Sequence, residues 1–239
     1  MPIATPPAER AGGGSGAARL LLAGLMLAYA LAALASGMER MAAQRAGPPA
    51  DLATARAGFS AQPLSALAAG ALAAAEWRAG NGAMAERVFR HAAQLGWREP
   101  ATQLYWLQVA AAAGEWGNAA KRYDALLRVD PRRAALAELA APLEGAGAGR
   151  TSLARRIALR PHWLADYADP PGPLAESALL ARAAVLREPD ARGALDCGVA
   201  ARLGRRLVGA GLAQAVDGTW RAKDGTVMLA LPPGCALPG

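Results

Sequence analysis

The sequence predicts an all-α protein: an N-terminal transmembrane helix, then an α-solenoid, then a small C-terminal helix pair with a β-hairpin. Three observations predict this: an alanine-rich composition, one long uncharged apolar run, and a pattern that repeats every 34 residues. Apolar residues make up 54% of the 239-residue chain, whereas aromatic residues make up only 5%. Because alanine favours helix and buries little area, the core must come from closely packed helices rather than a few large side chains.

The first 38 residues predict a leader and a membrane segment. Residues 1–18 are rich in proline, glycine and alanine, and we expect a disordered leader there. An uncharged apolar run follows, from Leu20 to Ser36, and it continues through Met38 before Glu39 ends it. As a helix this run spans roughly 28 Å, which is close to the thickness of a bilayer core. We therefore predict a membrane segment at residues 19–38.

Two forms of this segment fit the sequence. The favoured form is an uncleaved anchor, because the apolar run and the leader before it are long for a signal peptide. The alternative is a signal peptide with a small-residue cleavage motif, Ala33-Leu34-Ala35. A single N-terminal segment ahead of the whole folded mass usually exports that mass. In both forms we expect the residues after the segment to lie outside the cytoplasm.

The middle of the chain contains a repeat with a period of 34 residues. Three pairs of residues share this spacing: Gly80 and Gly114, Ala85 and Ala119, and Phe89 and Tyr123. The glycine lets a first helix stop and turn, and the alanine is small because the two helices cross closely there. The aromatic residue fills the space between one helix pair and the next. Pro131 ends the second helix, since proline cannot continue the hydrogen-bond ladder.

The same period extends in both directions. Pro63 lies two periods before Pro131, and residues 51–61 have the composition of a preceding second helix. After Pro131 we expect a shortened pair at residues 132–141 and 150–159, split by Pro142 and the glycine-rich turn that follows. Trp97 occupies the position of the terminal proline in the first full copy.

Over residues 50–163, about half of the chain, this pattern resembles the tetratricopeptide repeat family, whose period is also 34 residues. The resemblance implies that first helices line a concave groove suited to a peptide or protein partner. Trp77, Arg78 and Gln108 are the candidates for that lining. The layout, one anchor before the repeats, is similar to bacterial envelope proteins that include accessory factors of exopolysaccharide assembly and export. It implies a single-pass scaffold of the inner (cytoplasmic) membrane, with its bulk on the periplasmic side and a protein partner in the envelope.

Residues 174–239 are predicted to cap the solenoid. Two helices, at 174–187 and 195–210, precede a hairpin whose turn contains Asp224 and Gly225. The second helix carries three arginines, Arg202, Arg205 and Arg206, and an arginine-bearing helix followed by a hairpin also resembles a winged helix. We favour the cap, because a solenoid needs one and an exported location argues against DNA binding.

Two cysteines, Cys197 and Cys235, are too few for a metal cluster and lack C-x-x-C spacing. Outside the cytoplasm they could form a disulfide that contributes about 3–4 kcal/mol. Two free thiols are the alternative. The two histidines, His91 and His162, have no ligand spacing, so we expect no metal site.

No catalytic motif is recognisable, and we expect a protein that is not an enzyme, without cofactor or small-molecule substrate. Glycine-rich segments lack the preceding strand of a nucleotide-binding loop. Acidic residues such as Glu76 and Asp124 are expected on exposed helical faces, with Lys121 as a solvated neighbour. Because the net charge is +7, the alternative function is binding of an acidic polymer, polysaccharide or nucleic acid, by the arginine-rich surface.

Overall fold

The computed structural model describes residues 51–235. The predicted leader and membrane segment lie outside the described residues. Within residues 51–235, no helix has the length and apolarity needed to cross a bilayer.

The described residues are mostly helical, as predicted, with a small sheet of three strands near the end. The eleven α-helices of this part of the chain are α1 Leu52–Ala61, α2 Ala66–Arg78, α3 Gly82–Leu95, α4 Pro100–Ala112, α5 Trp116–Val129, α6 Ala137–Gly145, α7 Gly147–Ile157, α8 Leu164–Ala168, α9 Glu176–Arg187, α10 Pro189–Arg192 and α11 Cys197–Gly209. A 3-10 helix, Pro131–Ala135, joins α5 to α6. The strands are β1 Gln214–Val216, β2 Thr219–Arg221 and β3 Val227–Ala230, paired antiparallel in chain order.

Two helix pairs, α2 with α3 and α4 with α5, follow the 34-residue period. The first helices begin at residues 66 and 100, and the second helices begin at residues 82 and 116. Gly80 and Gly114 make the turns within the pairs in the left-handed region, with φ of 80° and 72°. In each turn the residue after the glycine donates its backbone N–H to the carbonyl five residues earlier, at 2.9 and 2.8 Å. The two turns therefore have the same construction.

The other repeated positions lie in the interior. Ala85 and Ala119 are completely buried on the second helices. Phe89 stacks on Tyr105 of the next helix pair, with ring centroids 4.2 Å apart. Tyr123 is buried with its ring edge-on to Trp163, at 6.0 Å. Each aromatic side chain thus packs against an aromatic ring that lies later in the chain than its own pair.

The pair after Pro131 differs from the prediction. α5 ends before Pro131, which starts the 3-10 helix, but Pro142 does not split a helix: it lies inside α6. That prediction was wrong, because Pro142 and Glu138 are both exposed, so water can satisfy the carbonyl that proline leaves without a partner. The break falls at Ala146 instead. At Gly149 an added Cβ would lie 2.4 Å from the carbonyl oxygen of Leu143, so α7 approaches α6 where only glycine fits.

Asp124 was expected in solvent, and that expectation was wrong: its exposed fraction is 2%. Its carboxylate accepts hydrogen bonds from Arg128 at 2.9 Å, from Trp163 at 2.8 Å, and from Arg156. Burial alone raises the pKa of Asp124, but the hydrogen bonds from Arg156, Trp163 and Arg128 outweigh it and hold the pKa below its ordinary value. This carboxylate ties α5 to α7 and to the turn before α8.

A second buried polar group joins α6, α8 and α9. Tyr167 donates its hydroxyl to Glu144 at 2.7 Å, and Arg182, which is fully buried, lies 3.6 Å from the same carboxylate. Arg182 also donates to the backbone carbonyls of Tyr167 and Ala134. Burial raises the pKa of Glu144, although Tyr167 and Arg182 oppose that rise.

The C-terminal part packs α9 and α11 against the sheet. The predicted hairpin corresponds to β2 and β3, whereas β1 was missed because its three residues are all exposed and give no alternation of buried and exposed positions. Trp220 of β2 lies directly over Gly204 of α11. A disulfide joins Cys197, at the start of α11, to Cys235, which follows the sheet.

We predict that Gly204→Ala destabilises the fold by about 1–3 kcal/mol, because an added Cβ would lie 1.9 Å from the Trp220 ring and force a rigid indole to move. Gly209→Ala in the same helix is the matched control, since nothing lies within 4 Å of its Cβ position. Chemical unfolding of the two variants measures the difference. Equal stability of both variants would mean that Trp220 does not pack on α11.

We also predict that Asp124→Asn costs about 1–3 kcal/mol at pH 7, because it removes the buried carboxylate that accepts hydrogen bonds from the partly exposed Arg156 and Arg128. Since the folded pKa lies below the unfolded value near 3.8, this carboxylate stabilises the fold fully above that pH and loses its effect as the pH falls further. The stability difference between wild type and variant should therefore shrink below about pH 4.

Asp130→Asn is the control for this measurement. Asp130 is paired with Arg132, whose side chain is 83% exposed, so its loss should change stability by less than about 1 kcal/mol. Glu144 also titrates, but it does so in both wild type and variant. Its contribution to the free energy of unfolding therefore cancels from the stability difference between them. A difference that does not change with pH would contradict the role given to the Asp124 carboxylate.

Candidate partner-binding surface

The two first helices, α2 and α4, each present a row of half-buried or exposed residues on the side away from the interior. These rows have helical spacing on each helix and are related by the 34-residue period. We call them the first-helix face, and its members are Leu67, Ala71, Ala74 and Arg78 on α2, with Ala101, Tyr105, Gln108 and Ala112 on α4. None of the eight is buried, whereas the opposite sides of both helices lie in the interior.

The first-helix face is almost uncharged. α4 contains no charged residue, and the charged residues of α2 are the buried Glu76 and Arg78 at its last position. The second helices α3 and α5 each carry several charged side chains. An apolar, uncharged helix surface is normally covered in a folded protein, so this asymmetry makes the first-helix face the candidate for an interaction surface.

Trp77 stands beside this face and connects the two helices. Its side chain is 55% exposed, and its ring packs edge-on against Tyr105 with centroids 5.6 Å apart. Gln108 is exposed one helical turn after Tyr105. Arg78 donates its Nε to the carbonyl of Ala74 at 3.3 Å. Of the three residues that the sequence suggested as groove lining, Trp77 contacts the ring of Tyr105, Gln108 follows Tyr105 by one helical turn, and Arg78 ends α2.

Sequence reasoning missed an aromatic residue of α4 beside Trp77, Tyr105. Its ring contacts Trp77, Phe89 and Trp106, and Trp106 in turn donates its indole N–H to the carbonyl of Phe89 at 3.5 Å. Burial raises the pKa of Tyr105, so its hydroxyl stays protonated and can donate a hydrogen bond. The signal in the sequence was the adjacent pair Tyr105 and Trp106, the two aromatic residues of an uncharged helix. These aromatic contacts hold the rings of Trp77 and Tyr105 against each other.

A shallow pocket of about 510 Å³ lies where α2 turns into α3. Its polar lining consists mainly of Arg56, Glu76, Asn81 and Arg87. The prediction that Glu76 is exposed was wrong, because Asn81 donates to its carboxylate at 2.7 Å and Arg56 at 2.9 Å. These hydrogen bonds, that of Asn81 first and then those of Arg56, lower the pKa of Glu76. A carboxylate with both oxygens engaged holds the turn and is not poised for proton transfer.

The remaining residues that the sequence suggested for metal binding or catalysis do not lie together in one site. Among residues 51–235, no three His, Cys, Asp or Glu side chains are arranged to hold a metal ion. His91 lies edge-on to Phe59, with its Nε2 3.1 Å from the carbonyl oxygen of Pro63. His162 is exposed in the turn before α8. Trp97 is exposed between α3 and α4, and the guanidinium of Arg122 lies 3.9 Å from the centre of its ring.

The arginines of α11 are partly engaged in the fold. Arg206 donates to the Asp169 carboxylate at 2.6 Å and to the carbonyls of Pro170 and Gly172 in the linker before α9. Arg205 is exposed and Arg202 half-buried. Of the three arginines considered for a winged helix, one therefore anchors the linker instead of facing a ligand.

No protein-family model matches this chain, and neither a curated protein nor a solved structure matches it at a significant level.

Proposed function

We propose that this protein is a membrane-anchored helical-repeat scaffold of the bacterial cell envelope that binds a protein partner through the first-helix face. The observation that carries the proposal is the contrast between this uncovered, nearly uncharged face and the charged second helices. Large apolar contacts around an exposed tryptophan are typical of the centre of a protein interface. Trp77 is the anchor of the proposed interface, and Gln108 its polar contact.

The disulfide supports the exported location. Disulfides persist in oxidising compartments such as the periplasm and are rare in the cytosol. The bond between Cys197 and Cys235 closes a segment of 38 residues that includes the whole sheet. An inner-membrane anchor at residues 19–38 with the repeats on the periplasmic side is consistent with that chemistry. Exopolysaccharide assembly or export is the pathway that the layout of the chain suggests.

We propose a role without catalysis. The buried carboxylates Glu76, Asp124 and Glu144 all serve internal hydrogen bonds or ion pairs. Binding of an acidic polymer is less well supported, because many arginines are already paired. Carboxylate partners are found for Arg56, Arg90, Arg128, Arg132, Arg133, Arg150, Arg155, Arg156, Arg182 and Arg206.

We predict that Trp77→Ala weakens partner binding about 10–30-fold, because it removes the largest exposed apolar side chain beside the first-helix face. The measurement is co-purification of partners with the full chain from detergent-solubilised membranes, quantified by mass spectrometry. Trp97→Ala is the matched control: Trp97 is comparably exposed, at 51%, but lies in the loop after α3.

Equal recovery of partners with both variants would contradict the proposed interface. Binding to an acidic polysaccharide that falls steeply with salt, with no protein partner recovered, would favour the polymer instead.

A further inference from the structure

The guanidinium of Arg122, on α5, is held by two side chains of different kinds. It lies over the ring of Trp97, 3.9 Å from the ring centre, and its Nη1 donates to the Oε1 of Gln103 at 3.1 Å. A positive charge over an aromatic face is attracted by the ring electrons. The ring and the amide together restrict how this planar head group can turn in the folded chain.

Gln103 is completely buried, although only one half of its amide has a partner. Its Nε2 makes no hydrogen bond with any of residues 51–235. Burying an amide costs free energy unless its hydrogen bonds are made, so a half-satisfied amide needs a reason other than stability. The hydrogen bond that Gln103 does make is to Arg122, and we therefore treat Gln103 as a positioning residue for that guanidinium.

Arg122 has no carboxylate partner in the part of the chain that the structure describes. Burial lowers its pKa, and no acid within residues 51–235 opposes that effect. Nearby in sequence, Glu99 accepts from the first amides of α4, and Asp124 is bound by other residues. The Nε and Nη2 of Arg122 make no hydrogen bond with the described residues and are not closed off from solvent. An anion from outside the chain would complete this site.

The exposed groups of this site indicate which anion fits it. The Nε and Nη2 edge of a guanidinium binds a carboxylate through two parallel hydrogen bonds. Trp97 stays 51% exposed in spite of its contact with Arg122, and the apolar C–H face of a sugar ring can pack on such an indole. A phosphate has the charge without an apolar face, and an acidic peptide side chain has the carboxylate on a flexible stem. A uronic acid has both a carboxylate and a ring.

We infer that Arg122 and Trp97 bind a uronic-acid unit of an acidic saccharide, with its carboxylate on Nε and Nη2 of Arg122 and its ring against Trp97. Arg122 is not one of the ion-paired arginines, so the pairing that disfavours a surface-wide polymer interaction does not apply to it. The residues of this site are not members of the first-helix face. The inference therefore goes beyond the proposed function, and either can hold without the other.

The test compares three probes of equal length. Hexagalacturonate has both the sugar rings and the carboxylates, its fully methyl-esterified form has the rings without the charge, and hexaglutamate has the carboxylates without the rings. The full chain is held in neutral phosphatidylcholine nanodiscs, and isothermal titration calorimetry gives the dissociation constants. Hexagalacturonate should bind at least about 10-fold more tightly than either other probe, because it alone makes both contacts.

Substitutions at the two contact residues should weaken hexagalacturonate. Arg122→Gln should do so about 10-fold or more, and Trp97→Ala about 5–10-fold. Arg205→Gln removes an exposed arginine elsewhere, and Trp77→Ala removes a comparably exposed indole. Both controls should stay within about 2-fold of the wild type, since a single distant charge acts weakly through salt. Circular dichroism checks that the variants are folded.

Gln103→Glu tests the positioning residue. It places a carboxylate beside Arg122, which should occupy the guanidinium and weaken hexagalacturonate about 10-fold while leaving the methyl ester unchanged. A change in the ratio of these two dissociation constants is not expected from a loss of stability alone. Arg122→Lys is the second variant, because it keeps the charge and loses the planar fork, and it too should weaken hexagalacturonate and not the ester.

Three results would overturn the inference. Hexaglutamate that binds as tightly as hexagalacturonate would assign the site to carboxylates without a sugar. Equal effects of Arg122→Gln and Arg205→Gln, with binding that falls steeply with salt, would mean attraction to the overall positive charge. Absence of saccharide binding would leave Arg122 with a structural role. The proposed function would survive all three, because it is tested by the dependence of partner recovery on Trp77.

Discussion

The buried carboxylate of Asp124 is the interaction on which the rest of the structure depends. It is bound by Arg128 on its own helix, by Arg156 of α7 and by the indole of Trp163. These partners come from three separate parts of the chain, so one side chain joins the last regular pair to the C-terminal part. Glu144, Tyr167 and Arg182 continue the same buried polar junction toward α9. α4, the other helix of this pair, packs against α5 and carries half of the first-helix face.

The first and second helices of each pair differ in the residues that they expose and bury. Second helices carry the charges and supply the alanine and aromatic residues that pack the interior, such as Ala119 and Tyr123. First helices are left apolar on their uncovered side, and their few polar groups are either buried, like Gln103, or near the proposed interface, like Gln108. An alanine-rich sequence makes this possible, because small side chains allow close packing inside and a smooth surface outside.

The sequence predicted those features that depend on local chemistry. Glycine spacing located the turns at Gly80 and Gly114, and the 34-residue period located both helix pairs. It could not predict that Asp124 is buried, because Arg156 and Trp163 lie 32 and 39 residues away and only the fold brings them to it. Pro142 was misread for a related reason: whether proline breaks a helix depends on whether water reaches the freed carbonyl. The sequence suggested Trp77 and Gln108 as groove lining through the resemblance to helical repeats, but the contact of Trp77 with Tyr105 depends on how α2 and α4 pack.

The central claim is that the first-helix face, rather than the charged second helices, binds the partner. The most direct measurement places a photo-reactive amino acid at Gln108 on α4 or at Lys121 on α5, both of which are exposed. Each full-length variant is irradiated in living cells, and its covalent adducts are resolved by size and identified by mass spectrometry. We predict a discrete protein adduct from position 108 and none from position 121. An adduct that forms from position 121 alone, or equally from both positions, would contradict the account.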